Sequence, residues 1–353
     1  LKDEFDMKVR SLFVVVLLLG VWVCPSPAQK VATSSLQFLK VMPTARATAM
    51  GDAFTTLATG ADAVFWNPAG VAHTQYPEFA GTLTLWLFDS RQGALSFAYP
   101  MGDWGSLGVQ LQYVDYGSIQ ETRVDQLRFV GDPSSSGYNP GLTGRSFSPY
   151  SYVVGISYAR QFTDKFSTGL TAKFISESLW SGKTASVINP STGLAEDMNA
   201  YARVFLFDFG MQYNTGFRSV RLGVSVQNFG DQVRFAKENY PAPLAFRIGI
   251  ASDVVGQDAL IGESQLHRVT VAYDLFQPND YAQQMHAGLE YALDETIFLR
   301  AGYKFNYDSD SFTGGVGVRH TLLGTNIGFD YSYGTMGDYL PSVHRLSVGV
   351  QLQ

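Results

Sequence analysis

The stretch Ile297-Phe298-Leu299-Arg300-Ala301-Gly302-Tyr303-Lys304-Phe305 decides the fold. Ile297, Leu299, Ala301, Tyr303 and Phe305 share one side of an extended chain, and Arg300, Gly302 and Lys304 the other. A period of two is strand geometry, because successive side chains of a pleated backbone point to opposite faces. One face apolar and aromatic, the other small or charged, is the pattern of a wall between lipid and a polar interior. The pattern recurs outward from this stretch. Leu107, Val109, Leu111 and Tyr113 oppose Gly108, Gln110 and Gln112. Leu222, Val224 and Val226 oppose Gly223, Ser225 and Gln227, and Ile327, Phe329, Tyr331 and Tyr333 oppose Gly328, Asp330 and Ser332.

About fourteen such segments satisfy strand criteria. They lie near 79–87, 93–99, 106–116, 150–160, 165–178, 201–213, 219–228, 244–251, 266–276, 284–292, 296–305, 311–319, 325–333 and 343–352. The longest connections, 117–149, 179–200 and 229–243, follow odd-numbered segments, while even-numbered ones mostly end in short turns. That parity matches an antiparallel barrel with short turns at the periplasmic end and long extracellular loops. The fold class expected is therefore all-β: a transmembrane antiparallel β-barrel of residues 79–353, with a small N-terminal helical or turn plug (hatch) of residues 29–78. The plug expectation rests on Pro43 to Thr59, rich in Ala and Thr, with Met50, Phe54 and Leu57 at helical spacing, followed by a turn at Asn67-Pro68. A periplasmic extension is the alternative for this segment, and a soluble β-sandwich the alternative for the whole chain.

Composition agrees. Phe 25, Tyr 19 and Gly 35 are high and charged residues are only 16%, where a water-soluble domain usually carries about 25%. A net charge of −6 argues against nucleic acid as a partner. The N-terminus reads as a secretory signal over residues 1–28: Lys8 and Arg10 form a basic start after Met7, Leu12 to Val23 is apolar, and Ser26-Pro27-Ala28 suits cleavage before Gln29. Residues 1–6 read as an over-long start. Cleavage removes Cys24, the only cysteine, and leaves no thiol chemistry. Trp22-Val23 do not suit a lipid-attachment box. Membrane entry must then be as a closed barrel, since unpaired backbone groups cannot face lipid.

No catalytic or cofactor signature appears. His73, His267, His286, His320 and His344 form no metal-ligand motif, and Walker loops, dinucleotide fingerprints and Gly-x-Ser-x-Gly elbows are missing. The expectation is a non-enzymatic protein with no cofactor. Charged residues at inward positions, Lys173, Asp208, Arg221, Arg247, Asp274, Glu290, Arg300, Lys304, Arg319 and Asp330, are expected chiefly to neutralise one another; a lumenal ligand route is the sharper alternative.

The stretches Arg46-Ala47-Thr48-Ala49-Met50-Gly51-Asp52-Ala53-Phe54 and Ala61-Asp62-Ala63-Val64-Phe65-Trp66-Asn67-Pro68-Ala69-Gly70 resemble the N-terminal region of the PorV/PorQ family of outer-membrane proteins. That family is related to the FadL-type outer-membrane transporters, which share an Asn-Pro-Ala turn in an N-terminal hatch. Arg221 to Gly230 with Pro241-Ala242-Pro243-Leu244 resembles the family's central segment. Gly302 to Phe305, Gly314 to Gly317, Phe329 to Tyr333 and His344 to Ser347 resemble its C-terminal third. One departure is the end, Leu352-Gln353, where an aromatic residue is usual. The resemblance implies a fourteen-stranded barrel with a hatch whose motif is Arg46, Met50, Gly51, Asn67, Pro68, Ala69 and Gly70. It implies a role in type IX protein secretion or cell-surface attachment of exported proteins. The partners would then be outer-membrane lipid, secreted-protein C-terminal domains at loops 117–149, 179–200 or 229–243, and type IX secretion components. The alternative is FadL-like passive transport of long-chain fatty acids or other hydrophobic small molecules, with a hydrophobic ligand in the lumen.

Overall fold

A computed structural model describes residues 33–129, 137–180, 184–189, 191–235 and 237–352. The expected signal peptide lies outside the described residues. Fourteen strands form one closed antiparallel barrel. They are β1 (Glu78–Leu85), β2 (Arg91–Pro100), β3 (Ser106–Asp115), β4 (Tyr150–Thr163), β5 (Phe166–Ser178), β6 (Tyr201–Asn214) and β7 (Arg221–Gly230). They continue as β8 (Ala245–Gly256), β9 (His267–Pro278), β10 (Gln284–Leu293), β11 (Ile297–Phe305), β12 (Asp310–Leu322), β13 (Thr325–Met336) and β14 (Val343–Leu352). Each strand pairs with its sequence neighbour, and β1 pairs with β14 from Glu78↔Gln351 to Leu85↔His344. All fourteen strands expected from the alternation are present.

The alternation sets which face is in. On β6 the side chains of Ala202, Val204, Leu206, Asp208 and Gln212 are buried, while those of Phe205, Phe207, Phe209, Met211 and Tyr213 are exposed. On β11, Ile297, Leu299, Tyr303 and Phe305 are all exposed, and Arg300 is buried. The outer surface is thus apolar and aromatic around the barrel, with ring pairs such as Phe79–Phe97 at 4.4 Å and Phe174–Phe205 at 5.1 Å. No helix among the described residues is long and apolar enough to cross a membrane.

One end of the barrel carries the short turns, such as 164–165, 294–296 and 323–324; the other carries the loops. The loops hold hairpins of their own. Ile119–Arg128 pairs with Asn139–Phe147, Thr184–Ile188 with Ala195–Asn199, and Val233–Phe235 with Glu238–Tyr240. β8 runs on to Gly256, past the expected end at 251, and Gly262–Glu263 adds to its end in parallel.

Residues 33–77 lie inside the barrel and run its length. Near the loop end the Ser35 N–H donates to the Pro241 carbonyl, and Lys40 pairs with Asp280 at 2.5 Å. At the turn end the Ala61 N–H donates to Glu78, where β1 begins. This inner segment has only short helical pieces: Gln37–Lys40, Ala45–Ala49, Gly60–Asp62, Ala63–Trp66 and Pro68–His73. The helix expected through Met50, Phe54 and Leu57 is a correction. It stops at Ala49, because Gly51 and Asp52 take left-handed backbone angles (φ 64° and 67°) that end helical winding.

The wall makes room for this segment. Inward Ala94, Ala98, Ala159, Ala251 and Ala272 meet a core of Met50, Phe54, Val64, Trp66 and Val71. Where the segment's backbone comes closest, the wall has glycine. A Cβ on Gly302 would sit 2.1 Å from the Gly51 nitrogen, on Gly210 2.0 Å from the Asn67 side-chain oxygen, and on Gly169 2.4 Å from the Pro68 carbonyl carbon. These glycines are pleated strand residues, chosen here for close approach and not for turn geometry. Gly302→Val should therefore leave the strand pairing intact and displace the inner segment. Heat-modifiable migration on gels should persist while residues 33–77 become protease-sensitive, and a cost of about 1–3 kcal/mol is expected from the overpacking. Equal protease resistance of parent and variant would contradict this seating.

Candidate functional site

The seven motif residues all belong to the seating of the inner segment. Asn67 is fully buried; its side-chain oxygen accepts from the Ala69 N–H at 3.1 Å, and its amide donates to the carbonyls of Thr55 (2.9 Å) and Met211 (3.2 Å). Pro68 opens the following helical turn with its ring at the first position, where no amide hydrogen is needed. Ala69 is buried, and Gly70 packs so closely that a Cβ would lie 2.0 Å from the Ala58 carbonyl oxygen. Met50 and Gly51 pack against the wall at Gly288 and Gly302. Arg46 makes a two-pronged contact with Glu290 at 2.9 and 3.0 Å.

Two cavities flank this segment. The one at the loop end has a volume of about 830 Å³. Phe38, Val41, Met42, Trp86, Tyr116 and Phe276 supply apolar lining, and Asp52, Arg247, Lys304, Asp310 and Arg345 supply charge. The one at the turn end, about 730 Å³, is bordered by Arg46, Asp62, Glu78, Arg268, Glu295, Arg319 and Asp330 and is far more polar. The first reaches Met42 and Asp52 and the second reaches Arg46 and Asp62, so the turn Ala45–Ala49 stands between them. Hydroxyls of the wall hold that turn. Ser347 accepts from the Ala45 N–H at 2.9 Å, Ser332 shares a hydrogen with Thr48 at 2.8 Å, and Thr313 donates to the Ala49 carbonyl at 3.1 Å.

The inward charges named from sequence are none of them exposed. Most pair with one another. Lys173 meets Asp208 at 2.8 Å, Arg221 meets Asp253 at 3.5 Å, and Lys304 meets Asp52 at 2.7 Å. Below the turn, Glu290 holds Arg46, Arg268 and Arg300, while Asp330 holds Arg300 and Arg319. Asp274 spends its charge on backbone, accepting from the N–H groups of Phe54 and Thr55 at 3.0 and 2.9 Å. Burial alone would push the Asp52 carboxyl up, but Lys304, with His286 and Arg247, together outweigh it and hold Asp52 below the usual carboxylate range. Asp62, half-buried, has no cation in contact among the described residues. Burial first, and then the charge of Asp330, push it up to about 6, with Arg46 and Arg319 opposing.

The sequence reading did not single out Arg268, Arg345, Trp86 or Phe38. Arg345 carried the same period-two signal as the residues that were named, on β14. Phe38 lies outside the strands, where no period exists to mark it, and Trp86, within the expected segment 79–87, lies just past the end of β1 at Leu85.

Two outcomes follow. Glu290→Gln removes the common partner of three arginines, and loss of one member of a buried charge network costs about 3–5 kcal/mol; the melting midpoint should fall and residues 33–77 should loosen first, as read by hydrogen exchange. Asp62 binds its proton more tightly when docked than in the unfolded chain. Its contribution is thus full below about pH 4 and is lost as pH rises through about 6. Exchange protection of the inner segment should decline across that window in the parent and decline less in Asp62→Asn.

No family model matches the sequence, and no curated protein matches it. Solved structures do match. The toluene transporter TodX of Pseudomonas putida aligns at 16% identity with a TM-score of 0.53, covering 86% of this chain and 96% of that one. The monoaromatic hydrocarbon channel CymD aligns at 13% identity with a TM-score of 0.54, covering 88% and 96%. At such identities the likeness establishes the fold: a closed fourteen-stranded barrel with short helices at its N-terminal end.

Proposed function

We propose that this protein is a non-enzymatic outer-membrane channel for the passive passage of hydrophobic small molecules. In this reading residues 1–28 direct export and are cleaved, 29–78 form the plug, and 79–353 form the barrel. The observation that carries it is the apolar-lined cavity at the loop end of a barrel whose outer face is itself apolar. A chamber of this size and lining suits a small apolar ligand oriented by a few polar groups. The transporters named above take toluene and monoaromatic hydrocarbons, which supports the class of cargo but not a particular molecule. Passage needs the Ala45–Ala49 turn to leave the wall. That turn is short and rich in alanine, and it is held by three wall hydroxyls and the Arg46–Glu290 pair, with small side chains alone on the core.

A second reading, type IX protein secretion or surface attachment, rests on the sequence resemblance to PorV and PorQ over Arg46 to Gly70. Its expected contacts, the loops 117–149, 179–200 and 229–243, carry the extra hairpins. Crosslinking from those loops to secreted C-terminal domains would favour it.

A reversible staple tests the channel. With Cys24→Ser as background, Thr48→Cys with Ser332→Cys places two thiols where the hydroxyl oxygens are now 2.8 Å apart. Uptake of N-phenyl-1-naphthylamine by cells carrying the barrel should fall to the vector level when the bridge is oxidised and recover on reduction. Undiminished uptake with the bridge verified by mass spectrometry would remove the turn from the route.

A further inference from the structure

The two cavities come close together at the seam of the barrel. On β14, Arg345 borders the loop-end cavity and Ser347 borders the turn-end one. Two strand residues span roughly 7 Å. On β11 the matching residues are Lys304 and Phe298, six positions apart. The thin place is also polar. Thr82 stands opposite Ser347 and Thr84 opposite Arg345, while Ala80, which lines the turn-end cavity, stands opposite Ser96. Gln92, which lines the loop-end cavity, donates to Gln112 at 3.2 Å, and Gln112 donates to Gln110 at 3.4 Å. Gln110 is in register with Ser96. A run of amides and hydroxyls therefore leads down the wall from one cavity to the other.

Much of that run is unsatisfied. Of the twelve buried side-chain atoms without a hydrogen-bond partner among the described residues, five lie here: the Thr84 and Ser96 hydroxyls, Gln92 Oε1, Gln110 Nε2 and Arg345 Nε. On β6 and β7, by contrast, the inward Gln212 and Gln227 are engaged with carbonyls of the inner segment. At the seam that segment bonds only through Gln92, to the Val41 carbonyl, and through Ser347, from the Ala45 N–H. A buried hydroxyl or amide without a protein partner is costly unless water bonds to it. Thr84 beside Gln92, and Ser96 beside Gln110, offer a water the two or more partners that hold it in place.

We propose that this seam is a water path: a file of waters held by Thr84, Gln92, Ser96 and Gln110 joins the two cavities while the Ala45–Ala49 turn stays docked. The lining is uncharged except at the loop-end mouth, where the Arg345 guanidinium lies over the Trp86 indole at 5.5 Å. A fixed cation at the mouth of a narrow path repels other cations. A line of hydroxyls and amides offers a hydrocarbon nothing in exchange for the water it would displace. The path is therefore separate from the hydrophobic route, which needs the turn to move. It gives water displaced from the loop-end cavity an exit while the turn is closed.

Osmotic shrinkage of proteoliposomes holding the full barrel, followed by stopped-flow light scattering, tests this. The Thr48→Cys with Ser332→Cys staple, in the Cys24→Ser background, is oxidised so that the turn cannot leave. Water permeability should still exceed that of empty liposomes. Adding Thr84→Val with Ser96→Ala should lower the excess about tenfold, the effect on a barrier of one lost hydrogen bond. Neither hydroxyl has a partner to lose, so the wall should assemble as before. An excess that disappears on oxidation puts water on the turn route and overturns the seam, with the hydrophobic channel left standing. An excess that survives the two substitutions overturns it, and so does no excess at all. A potassium leak from the same vesicles would mark an open pore and overturn it equally. The stapled protein without further change decides the matter even where Thr84→Val with Ser96→Ala does not fold.

Discussion

A chain segment buried in a barrel without regular structure must still satisfy its backbone, and here the wall does that work. Gln212 donates to the carbonyls of Thr55, Thr56 and Ala58, and Gln227 to those of Phe65 and Trp66. Asp274 accepts from Phe54 and Thr55, and Ser225 donates to Trp66. Unpaired buried amides and carbonyls are expensive to leave unmade. Each of these side chains replaces the partner a helix or sheet would have supplied. The rest of the interior depends on that constraint. Inward positions must be polar where they meet backbone, alanine where they meet the aromatic core, and glycine where the two backbones touch.

This explains how the same strands serve two chemistries. Outward, they need only be apolar. Inward, each position is matched to a particular atom of the inner segment, so the interior is a fitted surface and not a generic wet lumen. The charges follow the same logic. Glu290 and Asp330 gather four arginines into one network at the foot of the Ala45–Ala49 turn. Buried charges persist when paired in this way. The cavity at the loop end is what remains where the segment does not fill the barrel.

The barrel was legible because alternation is a local signal repeated in every strand; Ile297 to Phe305 alone shows both faces. The loop hairpins were not, because Ile119–Arg128 and its partner strand have little apolar contrast between faces, with Gln120, Glu121, Arg123 and Asp125 among them. The inner segment was legible as non-strand, and its Asn67-Pro68 turn as a turn. Its early helix was overestimated because spacing at Met50, Phe54 and Leu57 imitates a helical face, while the left-handed angles at Gly51 and Asp52 are set by contact with the wall at Gly302. Long-range contact of that kind has no signature in the local sequence. The same holds for Arg345, whose period marks it as inward but whose place over the Trp86 indole appears only in the fold.

The seam between β1 and β14 joins Glu78 to Gln351 across almost the whole chain. The inner segment precedes β1 and lies within the ring that this seam closes. Residues 33–77 cannot pass through the hydrogen-bonded wall, so they reach the interior either before its edges meet or lengthwise through an open end. In either case the interior glycines and glutamines are guides for docking as well as for packing, and a variant that spoils their fit should slow docking of the segment even where the finished wall tolerates the change.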